Sequence, residues 1–526
     1  MRVLFVNVPF VKVDESGQIH TGPNAGSRWP FTNAGYSGYG CFPFFMAYAV
    51  SYLRGHGVDA DFYDAVAARH WDLGLVRAEI ARRRPTVVFF ETSTPLFRAI
   101  ADTARWTKEH LGARIVFVGP HVQAYAEDIL ALPFADHAIM GEYERPALDI
   151  VESHANGKAG KAKRLYEFDL LEDLDTLDGA NLMPHRPLDL LWEYYDPSMD
   201  TPRVQLTVST SRGCPFKCTY CQWPKVMNNG SYRFRKPETV LDEIRTVIRD
   251  HAAYVAELRR SLGGQELAVY GLCNQRLASA DALLGRRDFP QAAAAFAEAQ
   301  ELQRALASLE AGGVRSIFFD DDTWNLGKRR VQALCAGLKD IGLPWTMMGR
   351  IDTTGSELFD LMVDSGCVGM RFGIESFSQR LLDNTKKNLD ARQSYETVKQ
   401  LITRHNNLEF HFTTMRNLPG ETPQDWQTDQ QILTDLQALG ARNNNRIHWQ
   451  NSSCIPFPGT ELWEEMVALG KGDQLRNFDM YDGGPSATED LASLVGWLGQ
   501  DYAPKWSKYS KLGAPTNLPD RGDRAR

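Results

Sequence analysis

Val204-Gln205-Leu206-Thr207-Val208-Ser209-Thr210-Ser211-Arg212-Gly213-Cys214-Pro215-Phe216-Lys217-Cys218-Thr219-Tyr220-Cys221 reads as a short β-strand running out into a loop that carries three cysteines. Cys214, Cys218 and Cys221 form a C-x3-C-x2-C group. Cys41, Cys273, Cys335, Cys367 and Cys454 are scattered singly and read as small buried hydrophobes. Eight cysteines in 526 residues are too few for a disulfide scaffold, so the group points to metal or to chemistry in a reducing compartment. Three thiolates are one short of the four ligands that close a tetrahedral zinc site or a 4Fe–4S cluster. The fourth position is open to a substrate or cofactor, and a zinc site completed by a distant His or Cys is the plain alternative.

Downstream, apolar runs at 316–319, 345–348, 370–374, 409–413 and 448–452 read as further strands, with helical patterns between them at 237–250, 328–341, 356–365, 391–404 and 423–439. Six βα repeats predict a partial (β/α)6 barrel over 203–460, with its site in the loops after the strands. One insertion, at about 251–312, breaks the rhythm. Twelve of the 34 residues at 278–311 are alanine, and the apolar spacing predicts a helical hairpin turning at Asp288-Phe289-Pro290, a structural or dimerising appendage.

Upstream, strands at 3–8, 87–91 and 115–118 alternate with helices at 44–56 and 97–111, the pattern of a doubly wound, Rossmann-like domain over 1–154. Ligands in such folds lie at the carboxyl ends of strands, which draws attention to Asn7-Val8-Pro9, Thr92-Ser93-Thr94, Gly119-Pro120-His121 and Gly141-Glu142-Tyr143-Glu144. Residues 155–202 are polar and read as a linker between the domains. Residues 461–526 read as a C-terminal cap or tail that includes Trp497, Trp506 and Tyr509. The fold class is α/β throughout.

Lys and Arg number 58 against 66 Asp and Glu, a net charge of −8, with 43% hydrophobic residues. That balance argues against nucleic acid as a partner, because phosphate backbones are held by clustered Lys and Arg. The longest apolar run, 41–50, falls well short of the roughly 18–20 residues that cross a bilayer, and the first residues form a strand rather than a secretion signal. The expectation is a cytoplasmic protein without a membrane partner.

The cysteine motif, with Tyr220 before its last cysteine, resembles the radical S-adenosylmethionine (SAM) superfamily. The resemblance implies a 4Fe–4S cluster on Cys214, Cys218 and Cys221, with SAM chelating the remaining iron. Further motifs resemble the branch with cobalamin-dependent members. Asp321 and Asp322 end a second-strand motif near the SAM amino group, and Arg350 ends the third strand. Glu375 and Ser376 follow the fourth, with Glu375 placed for the SAM ribose. Leu418-Pro419-Gly420-Glu421 and Pro456-Phe457-Pro458-Gly459-Thr460 resemble the loops after strands five and six. An Asp at a strand end is usually a helix cap and Pro-Gly usually a turn, so the weight lies in their order behind the cysteines.

The first domain is similar to the cobalamin-binding domain that precedes such barrels. Thr92, Ser93, Thr94, Gly119, Pro120, His121, Gly141, Glu142 and Tyr143 would face the corrin and its tail. There is no Asp-x-His-x-x-Gly, so no lower-axial histidine is evident, and His121, His20, His56 and His70 are each read as structural.

The resemblance implies a cobalamin-dependent radical SAM enzyme, foremost a C-methyltransferase that uses a 5′-deoxyadenosyl radical and methylcobalamin on a small molecule or peptide. It also implies an electron donor such as flavodoxin or ferredoxin. A ring-closing or rearranging enzyme without methyl transfer is the alternative, and a non-catalytic iron–sulfur or cobalamin carrier is the alternative of another class. A methylthiotransferase is excluded, since only Cys41 precedes residue 214 and the tail is not strongly basic.

Overall fold

The computed structural model describes residues 1–13, 19–22, 40–157, 164–177, 180–196, 198–286 and 288–481. The first sheet has six strands, β1 (Arg2–Asn7), β2 (Asp59–Asp64), β3 (Val87–Glu91), β4 (Arg114–Val118), β5 (His137–Ile139) and β6 (Leu165–Tyr166), in the order β2-β1-β3-β4-β5-β6. All neighbours are parallel. Such strands are buried on both faces and need helices on both. Val3, Phe5, Phe89, Val116 and Val118 pack beneath α1 (Phe44–Gly55) and α5 (Glu144–Ala155). Leu4, Val6, Val88, Phe90 and Phe117 pack beneath α2 (Leu73–Arg83), α3 (Phe97–Leu111) and α4 (Pro120–Leu130). The order reverses between β1 and β3, which puts the ligand crevice of this domain at the loops after those strands.

The three anticipated strands are present. β2 was not anticipated, because its Asp-Ala-Asp-Phe-Tyr-Asp sequence hides an edge strand among acids. β6 lies inside the segment read as a linker, so the first sheet reaches past residue 154. Other described residues of that segment are tied to the barrel. Asp196 pairs with Arg371 at 2.8 Å, and Met199 fills the space left by the missing side chain of Gly369.

The second sheet runs β7 (Gln205–Val208), β8 (Ser316–Phe319), β9 (Trp345–Gly349), β10 (Cys367–Glu375), β11 (Glu409–Arg416) and β12 (Arg446–Ser453), parallel and in strict sequence order. Winding in one direction lays every helix on one face, so the strands must curl to shelter the other. No pairing returns β12 to β7 among the described residues, so the barrel is open. Val208, Phe319, Met347, Phe372 and Phe412 pack outward against the helices. The alternate residues, Thr207, Met348, Arg371, Glu375 and His411 among them, face the lumen and are largely polar.

The insertion begins as an extension rather than a break. α6 (Pro237–Leu262) continues beyond residue 250 because His251 and Val255 prolong its buried stripe. α7 (Glu266–Gly285) and α8 (Phe289–Ala311) then form the hairpin, with Asp288 capping α8. No helix among the described residues is long and apolar enough to cross a membrane.

A buried ionic network locks the two domains together. Arg212, on the short hairpin of Ser211–Arg212 and Arg233–Phe234, meets Glu144 at 2.7 Å and Glu142 at 3.2 Å. Arg233 meets Glu142 at 2.6 Å, and Glu142 also accepts from the Leu171 N–H. Beside them Glu243 of α6 takes Arg186 at 2.7 Å and Arg235 at 2.5 Å. Burial disfavours the charge on both first-domain carboxylates. Arg212 and Arg233 nonetheless hold Glu142 below the usual carboxylate range, while burial and the charge of Glu142 push Glu144 above it. Removing one partner of a buried pair strands the other. Glu142→Ala should cost about 3–5 kcal/mol in a urea titration, whereas substitution of the exposed Glu109 should cost under about 0.5 kcal/mol.

Candidate active site

The cysteine loop leaves the carboxyl end of β7, where a parallel barrel presents its chemistry. Its three thiols are free and partly buried. Burial pushes Cys214 up to about 11, with the Asp322 carboxylate adding to the effect. Burial likewise raises Cys221, helped by Cys218 and Asp322. The loop is pinned from several sides. The Cys221 N–H donates to Cys218 O at 3.1 Å, the Thr219 N–H to Thr385 O at 2.9 Å, and the Leu462 N–H to Thr219 O at 3.0 Å. Tyr220 packs against the cluster of Leu381, Met415, Leu418, Cys454 and Leu462.

The two acids that end β8 part company. Asp321 is fully buried and turns back, accepting from Thr210 N and Oγ1, both at 3.0 Å, and from the Ser211 hydroxyl. It fixes the entry to the cysteine loop. Asp322 is half-buried beside the thiols and lines the cleft between the domains with Gly213, Arg212 and Tyr48.

Arg350 closes the loop from below. Its guanidinium grips Asp352 at 2.9 and 3.0 Å and lies 3.7 Å over the ring of Phe216, between the first two cysteines. Glu375 ends β10 at a register shift with φ +68° and pairs with the buried Lys387 at 2.8 Å. Ser376 does not join them, since its hydroxyl donates to Asp429 at 2.7 Å and holds the turn. Pro419 and Gly420 offer carbonyls to Asn384 at 2.7 Å and Arg380 at 2.5 Å, and Gly420 takes φ +81°, where a side chain would be strained. They shape the rim.

In the first domain two of the three expected loops meet. The Thr92 hydroxyl donates to Val118 O at 2.7 Å, and Gly119, at φ +98°, approaches Thr92 too closely for any side chain. Pro120 opens α4. His121 is fully buried, 3.1 Å from the Thr94 hydroxyl through Nδ1, among Phe97, Tyr125 and Phe478. Its Nε2 and the Ser93 hydroxyl are buried without a hydrogen-bond partner among the described residues.

The third loop goes elsewhere. Gly141 packs on Phe168, Glu142 is spent on the arginines, and the Tyr143 ring stacks on Phe5 at 5.9 Å in the core. These three residues belong to the domain interface, because the strand before them is short and its exit faces the barrel.

The segment after Thr460 spans the two halves. Lys225 pairs with Glu464 at 2.5 Å and Lys386 with Glu461, while Arg476 reaches Asp128 of α4 at 2.9 Å and Phe478 covers His121. The described part of the expected cap thus starts on the barrel and reaches the first domain. Trp497, Trp506 and Tyr509 fall outside the described residues, as does the side chain of His20. His56 is exposed and bonds Tyr52 O, and His70 bonds the Tyr63 hydroxyl at 2.6 Å.

No protein-family model matches the chain. It is 23% identical over 373 residues to an uncharacterized methyltransferase of Pyrococcus horikoshii, covering 67% of this chain and 63% of that one. It is 28% identical over 273 residues to the anaerobic magnesium-protoporphyrin IX monomethyl ester cyclase of Rubrivivax gelatinosus, covering 48% and 43%. The chain therefore spans less than two thirds of the length of these curated relatives. Among solved structures, the radical S-adenosylmethionine methyltransferase TsrM from Kitasatospora setae, with cobalamin and a 4Fe–4S cluster bound, matches with TM-score 0.57 at 14% identity, over 90% of this chain and 79% of that one. The cobalamin-dependent S-adenosylmethionine radical enzyme OxsB, with aqua-cobalamin bound, matches with TM-score 0.53 at 13% identity, over 93% and 63%. This chain has their fold.

The residues present fit the groups such enzymes carry. Among the described residues no three His, Cys, Asp or Glu side chains converge on one point as a single ion requires. A cluster with one iron per thiolate needs no such convergence. Buried thiols whose charge is disfavoured gain most from a cationic iron centre. The orphaned Ser93 hydroxyl and His121 Nε2 lie at the edge where the first domain would hold cobalamin.

Two residues of this site escape sequence reading. Lys387 sits in the polar run Asn384-Thr385-Lys386-Lys387-Asn388, where two lysines look alike. Arg212 resembles any loop arginine until its carboxylates arrive from 70 residues upstream.

Burial lowers the His121 imidazole from its ordinary value to about 3. The unfolded chain takes up that proton below about 6.5, so this residue's share of stability is complete above that pH and is lost as pH falls toward 3. Urea midpoints of wild type and His121→Phe should converge as the pH is lowered through that window.

Proposed function

We propose that the chain is a cobalamin-dependent radical SAM enzyme, a C-methyltransferase for a small molecule or peptide. What supports this above all is the opposition of two ligand edges. The cysteine loop with Asp322 at the mouth of the barrel faces the strand ends of the doubly wound sheet, and Arg212 joins the two.

When bound, cluster, SAM and cobalamin supply an electron, a carbon-centred radical and a transferable methyl group. The chain's own part is placement. Cys214, Cys218 and Cys221 hold the cluster, and Arg350 keeps their loop in shape through Phe216. Asp322 and Glu375 present carboxylates to the amino and ribose groups of SAM. Thr92, Ser93, Thr94, Gly119, Pro120 and His121 offer cobalamin a close backbone edge. The ionic network fixes the separation between the edges, on which a near-attack geometry depends.

A low-potential donor such as flavodoxin or ferredoxin and a reducing cytoplasm complete the proposal, with neither nucleic acid nor membrane as a partner. The cyclase relative supports a second reading, ring closure with the same cofactors and no methyl transfer.

Anaerobic reconstitution provides the test. Wild type should bind about four irons and cobalamin, and Cys218→Ala should lose iron and SAM cleavage while retaining cobalamin. Methyl-labelled SAM should pass its label to product; turnover without label selects ring closure, and a cluster without cobalamin removes the methylcobalamin reading.

A further inference from the structure

We propose that the substrate is a peptide, held in extended form as a further strand on the open edge of β12; the inference rests on the function proposed above and names the substrate class of that site. The ladder defines the edge. The Arg446 N–H donates to Leu408 O at 2.9 Å and the Cys454 N–H to Arg416 O at 2.8 Å, so every second residue between them turns its backbone groups to β11. Ile447, Trp449, Asn451 and Ser453 turn theirs to the other side. Among the described residues their N–H groups have no partner, and of their carbonyls only that of Ile447 has one, Gln437 Nε2 at 3.5 Å.

Proteins blunt an exposed edge with a short strand, Pro, Lys, a bulge or a covering loop. The other edge of this sheet follows that rule, since β7 is four residues long and wholly buried. β12 is eight residues long, carries neither Pro nor Lys, and keeps one register with β11 throughout. Its lumen-facing Arg446, His448 and Gln450 are exposed. The open positions recur at every second residue, about 6.6 Å apart, over a span of about 20 Å. That spacing matches the backbone of an extended peptide, whereas a small molecule could meet only one or two of them.

Both ends of the edge meet something that a peptide substrate needs. A cavity of about 650 Å³ opens beside the amino end, lined by Tyr195, Met199, Arg203, Glu409, His411 and His448 among others. Its charges are already matched. Glu409 meets His448 at 2.6 Å, Arg446 meets Asp200 at 2.9 Å, and the Arg203 guanidinium lies 3.7 Å over the Tyr195 ring. The cavity therefore offers hydrogen bonds and ring faces, and it suits a neutral side chain of the peptide. The carboxyl end leads to the chemistry. Cys454 follows Ser453 and belongs to the apolar cluster against which Tyr220 of the cysteine loop packs. A strand lying on β12 thus runs from the cavity to the barrel mouth.

The test is amide hydrogen exchange on the full chain, reconstituted anaerobically, with and without a pool of mixed-sequence synthetic decapeptides. Main-chain pairing tolerates many sequences, so a pool serves as the probe. It should slow exchange at Ile447, Trp449, Asn451 and Ser453 at least about tenfold, and the same pool N-methylated throughout should not. Asn451→Pro removes one edge N–H and leaves the ladder to β11 intact, so it should abolish the protection, whereas Asn451→Ala should keep it. Iron and cobalamin contents matching wild type show that each variant is folded, and the N-methylated pool carries the test if Asn451→Pro is not. Equal effects of the two pools, or no slowing by the unmodified one, overturn the proposal. So do edge amides already protected without peptide, as a second copy of the chain paired edge to edge would leave them. Protection by peptide in a chain that takes up no cluster sinks the function proposed above instead, a separate outcome.

Discussion

The grip of Glu142 and Glu144 on Arg212 is the constraint from which the arrangement follows. Arg212 stands two residues before Cys214, and both carboxylates leave the carboxyl end of the first sheet. A charged side chain buried to this degree survives only when fully paired, so the hairpin cannot relax without exposing the arginine or stranding the acids. The cysteine loop is thereby referenced to the first domain and not merely to its own strand.

That reference explains the winding of both sheets. A doubly wound sheet offers its ligand crevice where strand order reverses, and a one-way wound sheet offers its site at the same ends of its strands. With Arg212 locked, the carboxyl ends face each other, and a ligand on one sheet lies opposite a ligand on the other. The polar lumen of the barrel follows too. Arg371 is satisfied by Asp196 from the connecting segment, so the segment between the domains serves as the floor of the barrel.

Much of this was legible in the sequence, for a physical reason. Short apolar runs between helical patterns mark the strands, and those at 316–319 and 87–91 appear with the expected bounds. What escaped was set by tertiary contact. Asp59–Asp64 is an edge strand whose acids break the apolar pattern, and Leu165–Tyr166 is too short to have one. At the site, the three cysteines stand out in the sequence by their spacing and by their place after a strand. Asp321 and Asp322 are equivalent in sequence, and the backbone and hydroxyl of Thr210 with the hydroxyl of Ser211 decide which of them turns inward. Glu142 and Tyr143 follow a strand end, as a ligand loop would, yet the arginines of the hairpin and the ring of Phe5 claim them.

The C-terminal segment supplies a second tie of a different kind. It starts at the cysteine loop, where Leu462 bonds Thr219, and its last described residues lie on α4, where Arg476 reaches Asp128 and Phe478 covers His121. The Arg476 pair is largely exposed, 58% and 52%, and so contributes little by itself. Phe478 is the anchor, because its ring meets three aromatic neighbours that would otherwise face water. The ionic network thus fixes the entry of the cysteine loop, and the apolar contact of Phe478 fixes the C-terminal segment on the first domain. Salt weakens an exposed ion pair but leaves an aromatic contact intact, so the spacing between the two ligand edges rests on the buried arginines at one end and on Phe478 at the other, with neither tie depending on surface charge.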